Sequence, residues 1–474
     1  MSIPPGFRLV PDRANRRHDG GRILIGGSPR RVLRLTDKGA DAAQRLLAGA
    51  VVSDSGEAAL ARRLLDAGLA HPLPPAEPQL FDVVVPVYDD AAALARCLET
   101  LDGVQVTVVD DGSADAAAVR DLADKHRATV VRLERNNGPA AARNRGSAHG
   151  AADLVAFVDS DAVVDVRALS RLSEHFADPD VVAVAPRVRA AVDAGGVLGA
   201  LAVSWSPLDL GPEPAHVHAG GRIAYVPSTV LMVRREPLLA VGGFDESMRY
   251  GEDVDLVWRL IERGGCVRYE PAATATHDEP STWTSWLRRR IAYGTSAAPL
   301  AVRHGERAVP LRVQPAPAAA LLLAAIRRPA LAAAVATGTA ARLRRRLRAA
   351  AVPSADATVA AGLAPVHASL GVARWATQLW WPAVLLLAAR RRGRSRAAVV
   401  ATVAAPPLLE WRKRRPAVDP IRWTAAVWLD EAAYGVGVWR GCLRARTLRP
   451  LFPAISSLRT AARRDMTPTG RPAE

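Results

Sequence analysis

The fold is decided by three stretches, which are VVVPVYDD at residues 83–90, VTVVDDGSAD at residues 106–115 and LVAFVDSD at residues 154–161. Each stretch starts with valine-rich apolar residues and ends in carboxylates. Uninterrupted apolar runs are typical of strands buried on both faces, as in a parallel sheet that helices cover. The segments between them are rich in Ala, Leu and Arg and have the length of crossover helices. The sequence therefore predicts a β-α-β-α-β unit with its ligand at the carboxyl ends of the strands.

Two further motifs follow in order, NNGPAAARNRG at residues 136–146 and GGFDESMRYGEDVDL at residues 242–256. With the three stretches above, they resemble the inverting glycosyltransferases of family 2. The resemblance implies a GT-A fold, which is an α/β, Rossmann-like domain with a mixed, mostly parallel sheet, placed here at residues 80–310. It also implies transfer of a sugar from a nucleotide-sugar. A DxD motif alone would be weak evidence, because such a triplet is common in solvated turns.

The first two strand ends are expected to hold the nucleotide. By resemblance, Tyr88 and Asp89 border the base, although an ordinary polar turn also fits them. Asp110 and Asp111 can accept a hydrogen bond from a uracil N–H, and the glycine after them lets backbone approach a ligand closely. Arg143 falls on the first turns of a helix after a Gly-Pro turn, where it is expected to contact the donor. The alternative for Arg143 is an ion pair with a surface carboxylate.

The third strand end, Asp159-Ser160-Asp161, is the candidate metal site. Residues two apart in a strand point to the same face, so the two carboxylates are expected to converge. Such a pair suits a divalent cation, Mn²⁺ or Mg²⁺, bridging a diphosphate. By resemblance, Asp161 is the main ligand and Asp159 lies nearer the ribose or the waters of the metal. His277, near a later strand end, is a candidate further ligand, although a lone histidine is more often structural.

The second chemical group is the adjacent pair Glu252 and Asp253. Acids on a first helical turn are favoured by the helix dipole, which is a purely structural explanation for both. Inverting transfer, however, needs one base to take the proton of the acceptor hydroxyl. Because the pair matches the ED motif of the family in position, Asp253 is predicted to be that base, with Glu252 orienting it.

A further phosphate-binding candidate lies in WTSWLRRRIAYG, at residues 283–294. The guanidinium of Arg289, within the run of three arginines, is suited to a diphosphate. Processive relatives have a Q/RxxRW motif in this region, and here Trp286 precedes the arginines instead of following them. Processivity is therefore left open.

Residues 1–75 are predicted to form a separate small module. Two strand patterns, GRILIGG and RRVLRLT, precede two helical patterns, the first of which Thr36 can cap. This order suggests an α+β, winged-helix-like fold and resembles the PqqD-like peptide-recognition modules, which bind a precursor peptide by adding its strand to a sheet edge. The implied partners are a precursor peptide or pathway proteins. A structural cap or a dimerisation element remains the alternative.

Charge and cysteine content limit the setting. The 474 residues include 63 Lys plus Arg against 47 Asp plus Glu, a formal charge of +16 that favours anionic partners. The three cysteines are too few and too distant for a disulfide framework, which indicates a reducing compartment. The first residues lack an apolar segment of signal-peptide type, so a cytoplasmic catalytic domain is expected. Nucleic-acid binding would rest on charge alone and is not expected.

The part from residue 311 to 460 has a different composition. Its apolar stretches are interrupted by arginine and flanked by RRRGRSR and WRKRRP. This pattern predicts helices that associate with the cytoplasmic face of a membrane, with spanning helices or an all-helical soluble domain as alternatives. Residues 461–474 are predicted to be a disordered tail.

The whole domain order resembles the glycosyltransferases of mycofactocin systems. That resemblance implies glucose transfer from UDP-glucose to a small peptide-derived acceptor, premycofactocin, which is a redox-cofactor precursor. The alternatives are a family 2 transferase that acts on a lipid or cell-envelope glycan, and a scaffold that binds nucleotide without turnover.

Overall fold

The structure is a computed structural model that describes residues 2–191, 195–309, 311–313, 315–325, 328–349 and 354–455. The chain divides into two compact units. The first unit contains residues 1–289 and 416–418, and the second contains residues 290–415 and the segment from Asp419 onward. The predicted tail at residues 461–474 lies outside the described residues.

The first unit begins with a small α+β module around its own apolar core. Its elements are β1 (Arg8–Pro11), β2 (Arg16–His18), β3 (Ile23–Gly26), β4 (Arg31–Arg34), α1 (Asp37–Leu47), α2 (Ser55–Asp66) and β5 (Ala70–Leu73). Thr36 caps α1 by accepting a hydrogen bond from the backbone N–H of Gly39, as the sequence predicts. Asp54 caps α2 in the same way, by accepting from the backbone N–H of Glu57. The strands form one three-stranded sheet and the pair β1–β5. Leu24, from β3, is completely buried in the module's core.

The rest of the first unit alternates strands and helices. It contains β6 (Phe81–Val87), α3 (Ala91–Leu98), β7 (Gln105–Asp110), α4 (Ala116–Lys125), β8 (Thr129–Arg132), α5 (Pro139–Ser147), β9 (Leu154–Val158), β10 (Ala162–Val163), α6 (Val166–Glu174), β11 (Val181–Ala190), α7 (Gly196–Trp205), β12 (Ala215–His216), β13 (Val230–Arg234), α8 (Arg235–Ala240), α9 (Glu252–Glu262), β14 (Cys266–His277) and α10 (Trp283–Gly294), whose last residues belong to the second unit.

These strands form one nine-stranded sheet in the order β10-β14-β11-β13-β9-β6-β7-β8, with β12 on β14. The four strands from β9 to β8 are parallel, while β13 is antiparallel to both of its neighbours. The α/β class with a mixed sheet is thereby confirmed. Val83 and Val85 of β6 are completely buried, because helices cover the sheet. The carboxyl ends of β6, β7 and β9 lie at one edge, which positions the site described below.

The second unit is mainly helical. It contains α11 (Ala297–His304), β15 (Arg312–Val313), α12 (Pro315–Ala325), α13 (Pro329–Ala349), α14 (Ser354–Leu379), α15 (Trp381–Arg390), α16 (Gly393–Arg414), α17 (Pro420–Arg444) and β16 (Ala454–Ile455).

Two arginines of this unit form ion pairs with acids on α17. Arg374, on α14, pairs with Glu431 on α17 at 3.1 Å, and Arg290 pairs with the buried Asp430 at 2.6 Å. Arg374, which lies inside an apolar stretch, therefore links α14 to α17. In the part of the chain that the structure describes, no helix is both long enough and apolar enough to cross a bilayer.

Candidate active site

The acidic residues at the ends of β6 and β7 shape neighbouring loops. Asp89 has a positive φ of 52° and accepts from the backbone N–H of Ala114 at 2.7 Å. Asp110, which is buried, accepts from the N–H of Ser113 at 2.8 Å and pairs with Arg132. Tyr88 leaves 48% of its surface exposed beside them. The two loops form a connected rim with a solvent-facing aromatic ring, which suits a planar ligand.

Asp111 joins this rim to the segment that precedes α5. Its two carboxylate oxygens accept from the backbone N–H groups of Asn137 and Gly138, each at 2.8 Å. The next residue, Gly112, has a φ of +81°, and a Cβ there would lie 2.7 Å from the carbonyl carbon of Arg135. Only glycine fits this close approach. Asp111 therefore fixes the start of α5 with the oxygens that the sequence assigns to a uracil contact.

Arg143 on α5 contacts both acidic motifs of the site. Its Nη2 donates to Asp159 Oδ1 at 2.5 Å, and its Nη1 donates to Glu252 Oε1 at 3.0 Å. The side chain is only 4% exposed, and its guanidinium carbon lies 5.4 Å from the ring centre of Phe244. The end of β9 and the start of α9 therefore meet at one buried cation, and the two carboxylate motifs share one region of the molecule.

The convergence argument for Asp159 and Asp161 is wrong in its premise. Strand β9 ends at Val158, and the following residues form a turn in which the N–H of Ala162 donates to the Asp159 carbonyl. Strand alternation does not apply to a turn. Asp159 consequently faces Arg143, whereas Asp161 faces His277 on β14.

Asp161 and His277 form the best candidate for holding a cation. His277 Nε2 lies 3.2 Å from Asp161 Oδ2, and the β10–β14 pairing that aligns Ala162 with His277 fixes this approach. Adjacent ligands of an octahedral ion with metal–ligand distances of about 2.1 Å lie about 3.0 Å apart, so the spacing fits. Burial raises the pKa of Asp161, but the hydrogen bond with His277 and the charges of His277 and Arg289 outweigh it and hold the pKa below its usual value.

Asp161 and His277 supply two protein ligands. Among the described residues there is no group of three or more His, Cys, Asp or Glu side chains that could hold a metal. The predicted third ligand, Asp159, accepts a hydrogen bond from Arg143 instead. His277 Nδ1 is buried without a hydrogen-bond partner in the described part of the chain. The residues present therefore fit a cation that takes its other ligands from phosphate oxygens and water, as Mg²⁺ commonly does.

Glu252 and Asp253 occupy the first turn of α9. Burial and the neighbouring Asp253 charge raise the pKa of Glu252 to about 7, against the lowering effect of Arg143. Burial likewise raises the pKa of Asp253, although backbone N–H groups of Val254 and Ser228 bind its carboxylate. Because the two titrate together, the pair holds a proton nearer to neutral pH than free carboxylates do. Such a pair is suited to accept a proton from a hydroxyl group.

The position of Arg289 depends on a residue that was not predicted. Arg289 pairs with Glu279, whose side chain is 3% exposed, and Ser206 Oγ donates to the same carboxylate at 2.6 Å. The charge of Arg289 also reaches Asp161 and lowers its pKa. Glu279 thus holds the predicted phosphate ligand beside the candidate cation pair. Its only signal in the sequence is its place two residues after His277.

Asn144 also belongs to the site and was not among its predicted residues. Its amide donates to the Phe244 carbonyl at 2.9 Å, and its Oδ1 accepts from the Phe244 N–H at 2.8 Å. A Cβ on Gly243 would lie 2.5 Å from this Oδ1, so the glycine is needed there. Asn144 thereby fixes the loop that leads to Glu252.

Comparison with known proteins identifies the family of the chain. The family model described as glycosyl transferase family 2 matches residues 82–232, which contain β7, β9, Arg143 and all of β6 except Phe81. The pre-mycofactocin glycosyltransferase of Mycobacterium tuberculosis H37Rv is 39% identical over 470 residues, covering 96% of this chain and 98% of that protein. The chain belongs to the pre-mycofactocin glycosyltransferase family.

As a member of this family, the protein is a glycosyltransferase of the mycofactocin pathway. The chain also resembles the poly-β-1,6-N-acetyl-D-glucosamine synthase of Staphylococcus aureus strain COL, with 26% identity over 193 residues, 40% of this chain and 46% of the relative. Among solved structures, the mannosyltransferase PcManGT of Pyrobaculum calidifontis, in complex with GDP-Man and Mn²⁺, has a TM-score of 0.45 and 19% identity. That match covers 77% of this chain and 89% of the mannosyltransferase.

Proposed function

We propose that the protein transfers glucose from UDP-glucose to premycofactocin, a small peptide-derived acceptor, with inversion at the anomeric carbon. The observation that supports this most strongly is the contact of Arg143 with both Asp159 and Glu252. It brings the residues suited to a nucleotide-diphosphate and the residues suited to deprotonation into one site. The identity of a relative 39% identical over almost the full chain supports the acceptor.

The residues of the site divide the chemistry between them. Asp161 and His277 would hold a divalent cation, Mn²⁺ or Mg²⁺, which when bound offsets negative charge on the diphosphate leaving group. Arg289 would contact the same phosphates, held in place by Glu279. Tyr88, Asp89, Asp110 and Asp111 would form the rim against which the uridine lies.

The transfer step itself requires a base on the acceptor side. The acceptor hydroxyl oxygen forms a bond to the anomeric carbon while the bond from that carbon to the diphosphate oxygen breaks, and Asp253 takes the hydroxyl proton. Glu252 orients Asp253 and shares its proton, because the two carboxylates are adjacent and titrate together. Arg143 holds Asp159 and Glu252 close together through its two ion pairs and partly offsets their negative charge.

We further propose that the N-terminal module of residues 1–75 binds a precursor peptide or a pathway protein, and that the second unit lies on the cytoplasmic face of a membrane. The membrane proposal is supported by α15, where Leu385, Leu386 and Leu387 are 62%, 51% and 43% exposed and Arg390 ends the helix. Apolar side chains beside arginine suit an anionic lipid surface. A lipid-linked glycan acceptor is the alternative that this surface favours.

The function is tested by incubating the purified full chain with UDP-glucose, Mn²⁺ and premycofactocin, and by following the acceptor by mass spectrometry. The expected result is a product heavier by one or more hexoses that disappears when EDTA replaces the metal. UDP-galactose and a polyprenyl phosphate serve as competing donor and acceptor. Transfer only to the lipid would refute the proposed acceptor, and transfer that persists in EDTA would refute the metal dependence.

A further inference from the structure

One continuous stretch of chain, residues 218–229, runs from the N-terminal module to the acids of the candidate active site, and all of these parts belong to the first unit. We call this stretch the linking segment. At its start, His218 Nε2 lies 2.8 Å from the carbonyl oxygen of Ser28 in the module, and because a carbonyl only accepts, the Nε2–H donates. Arg222 lies 3.9 Å from Asp12 of the module. Two side chains therefore attach the beginning of the linking segment to the module.

The attached part of the linking segment is a closed loop. The backbone N–H of His218 donates to the Ile223 carbonyl at 3.2 Å, and the N–H of Gly221 donates to the His218 carbonyl at 2.9 Å. A Cβ on Gly221 would lie 2.9 Å from His218 Nε2, so the loop backbone packs directly against the imidazole ring. A shift of His218 relative to the module must therefore shift the whole loop.

The later part of the linking segment contacts helix α9, which carries the proposed base. Trp258 of α9 donates from Nε1 to the Ala224 carbonyl at 2.8 Å. Further along, the backbone N–H of Ser228 binds the carboxylate of Asp253. The linking segment thus supplies one of the hydrogen bonds that fix the Asp253 side chain.

The next residue reaches the other acidic motif. The backbone N–H of Asp159 donates to the carbonyl of Thr229 at 2.9 Å. Thr229 is buried and leads directly into β13, whose Val230 is paired with Val158 at the end of β9. The end of the linking segment is therefore held between the turn after β9 and the first turn of α9, where the two acidic motifs meet.

We propose that the linking segment is a positioning element for the catalytic base, through which the docked N-terminal module helps to set the place of Asp253. The inference rests on the proposed role of Asp253 in transfer. Coupling between separate sites can be carried by chains of packed and hydrogen-bonded groups of this kind. A misplacement of about 1 Å at a reacting group can cost about 10²-fold in rate. The module is then a part of the catalytic apparatus as well as a binding domain.

The first test is hydrogen–deuterium exchange of the full chain, read by mass spectrometry without donor or acceptor. His218→Phe keeps an aromatic ring but removes the hydrogen bond to Ser28, and Arg222→Gln removes the charge beside Asp12. The double variant should speed the exchange of the amides of residues 223–229 about fivefold, because lost hydrogen bonds make local opening easier. If the double variant does not fold, Arg222→Gln alone replaces it, with exchange about twofold faster.

Arg13→Gln is the matched control. Arg13 also joins the module to the rest of the first unit, through Glu213 at 3.1 Å, but this contact precedes β12. The pairing of β12 with β14 separates Glu213 from the linking segment. The control should therefore leave the exchange of residues 223–229 unchanged. His218→Gln in place of His218→Phe keeps an N–H donor and should restore slow exchange.

Glucose transfer gives the second readout. The double variant should lower kcat about fivefold and leave the KM for UDP-glucose unchanged, because the base acts on the acceptor and not on the donor. His218→Gln in place of His218→Phe should recover most of the lost kcat. The inference is overturned by unchanged exchange of residues 223–229 in the double variant, and equally by faster exchange with wild-type kcat. Absence of transfer by the wild type would refute the proposed function instead, while the exchange result still decides whether the module holds the linking segment.

Discussion

Replacing Arg143 by methionine tests the central contact of the site. The change removes the cation from Asp159 and Glu252 and keeps an apolar side chain against Phe244. Breaking a buried ion pair by removing one partner costs about 3–5 kcal/mol, because the remaining charge is uncompensated. A carboxylate can escape this cost by taking a proton, so the loss of stability should depend on pH.

The direction follows from linkage. Glu252 has a pKa of about 7 in the folded protein against 4.5 in the unfolded chain, so its contribution to wild-type stability falls as pH rises from about 4.5 to about 7 and then levels off. Arg143 lowers the pKa of Glu252, and its removal must raise that pKa further. The variant therefore continues to lose stability above pH 7, by up to about 1.4 kcal/mol per unit. The difference between wild type and variant should grow from about pH 6 to about pH 8.5 by about 2 kcal/mol.

The assay is urea denaturation followed by tryptophan fluorescence at both pH values. Arg234→Met is the matched control, since Arg234 also lies against an aromatic ring, Phe176, at 5.4 Å but donates to the carbonyls of Phe176 and Val181. Carbonyl groups do not titrate, so the control should lose the same stability at both pH values. An Arg143→Met loss that is equal at both pH values would refute the ionic account.

Three further predictions concern chemistry and surface. Asp253→Asn should bind UDP-glucose as the wild type does but transfer sugar about 10²–10⁴-fold more slowly. The wild-type rate should rise with pH through about 7 as the acid pair loses its proton. Single-turnover kinetics and equilibrium binding measurements check these two expectations, and a pH-independent wild-type rate would exclude the pair as base. Asp161→Ala should weaken Mn²⁺ and UDP binding together in calorimetry, so metal-independent UDP affinity would count against the cation pair. Leu385→Glu should reduce cosedimentation with phosphatidylglycerol vesicles several-fold, while Leu80→Glu, at an 87% exposed linker residue, should not; equal loss in both would argue against α15 as the contact.

Local patterns predicted the elements of the fold well. The valine runs of β6 and β7 identify buried parallel strands because apolar content and β-branching are properties of neighbouring residues. The α1 start at Thr36 follows from the same kind of local chemistry. The turn after Val158 was not predicted. Because side chains alternate along a strand, an error of one residue in where the strand ends reverses the predicted direction of a carboxylate. Asp159 and Asp161 consequently face different partners.

Long-range partners were beyond the sequence for another reason. Glu279 gains its importance from Arg289 and Ser206, which lie in other segments of the chain. The contact depends on which segments the fold brings together. A buried charged residue has no periodic signature that separates it from an exposed one, since lone charged residues are usually solvated. Candidate residues within a motif, Arg143 included, were therefore predicted, whereas Glu279, which lies outside the motifs, was found only in the structure.

The directions of the pKa shifts separate the roles of the acids. Asp161 is held ionised by His277 and Arg289, which is what a cation ligand requires, while burial and mutual repulsion keep a proton on the Glu252–Asp253 pair nearer to neutral pH. Carboxylates whose pKa values are pushed apart in one site commonly have distinct acid–base assignments. Arg143 acts on both groups of acids, because it lowers the pKa of Glu252 and donates a hydrogen bond to Asp159. Its neutral replacement should therefore alter proton transfer and donor binding together, whereas Asp253→Asn should alter proton transfer alone.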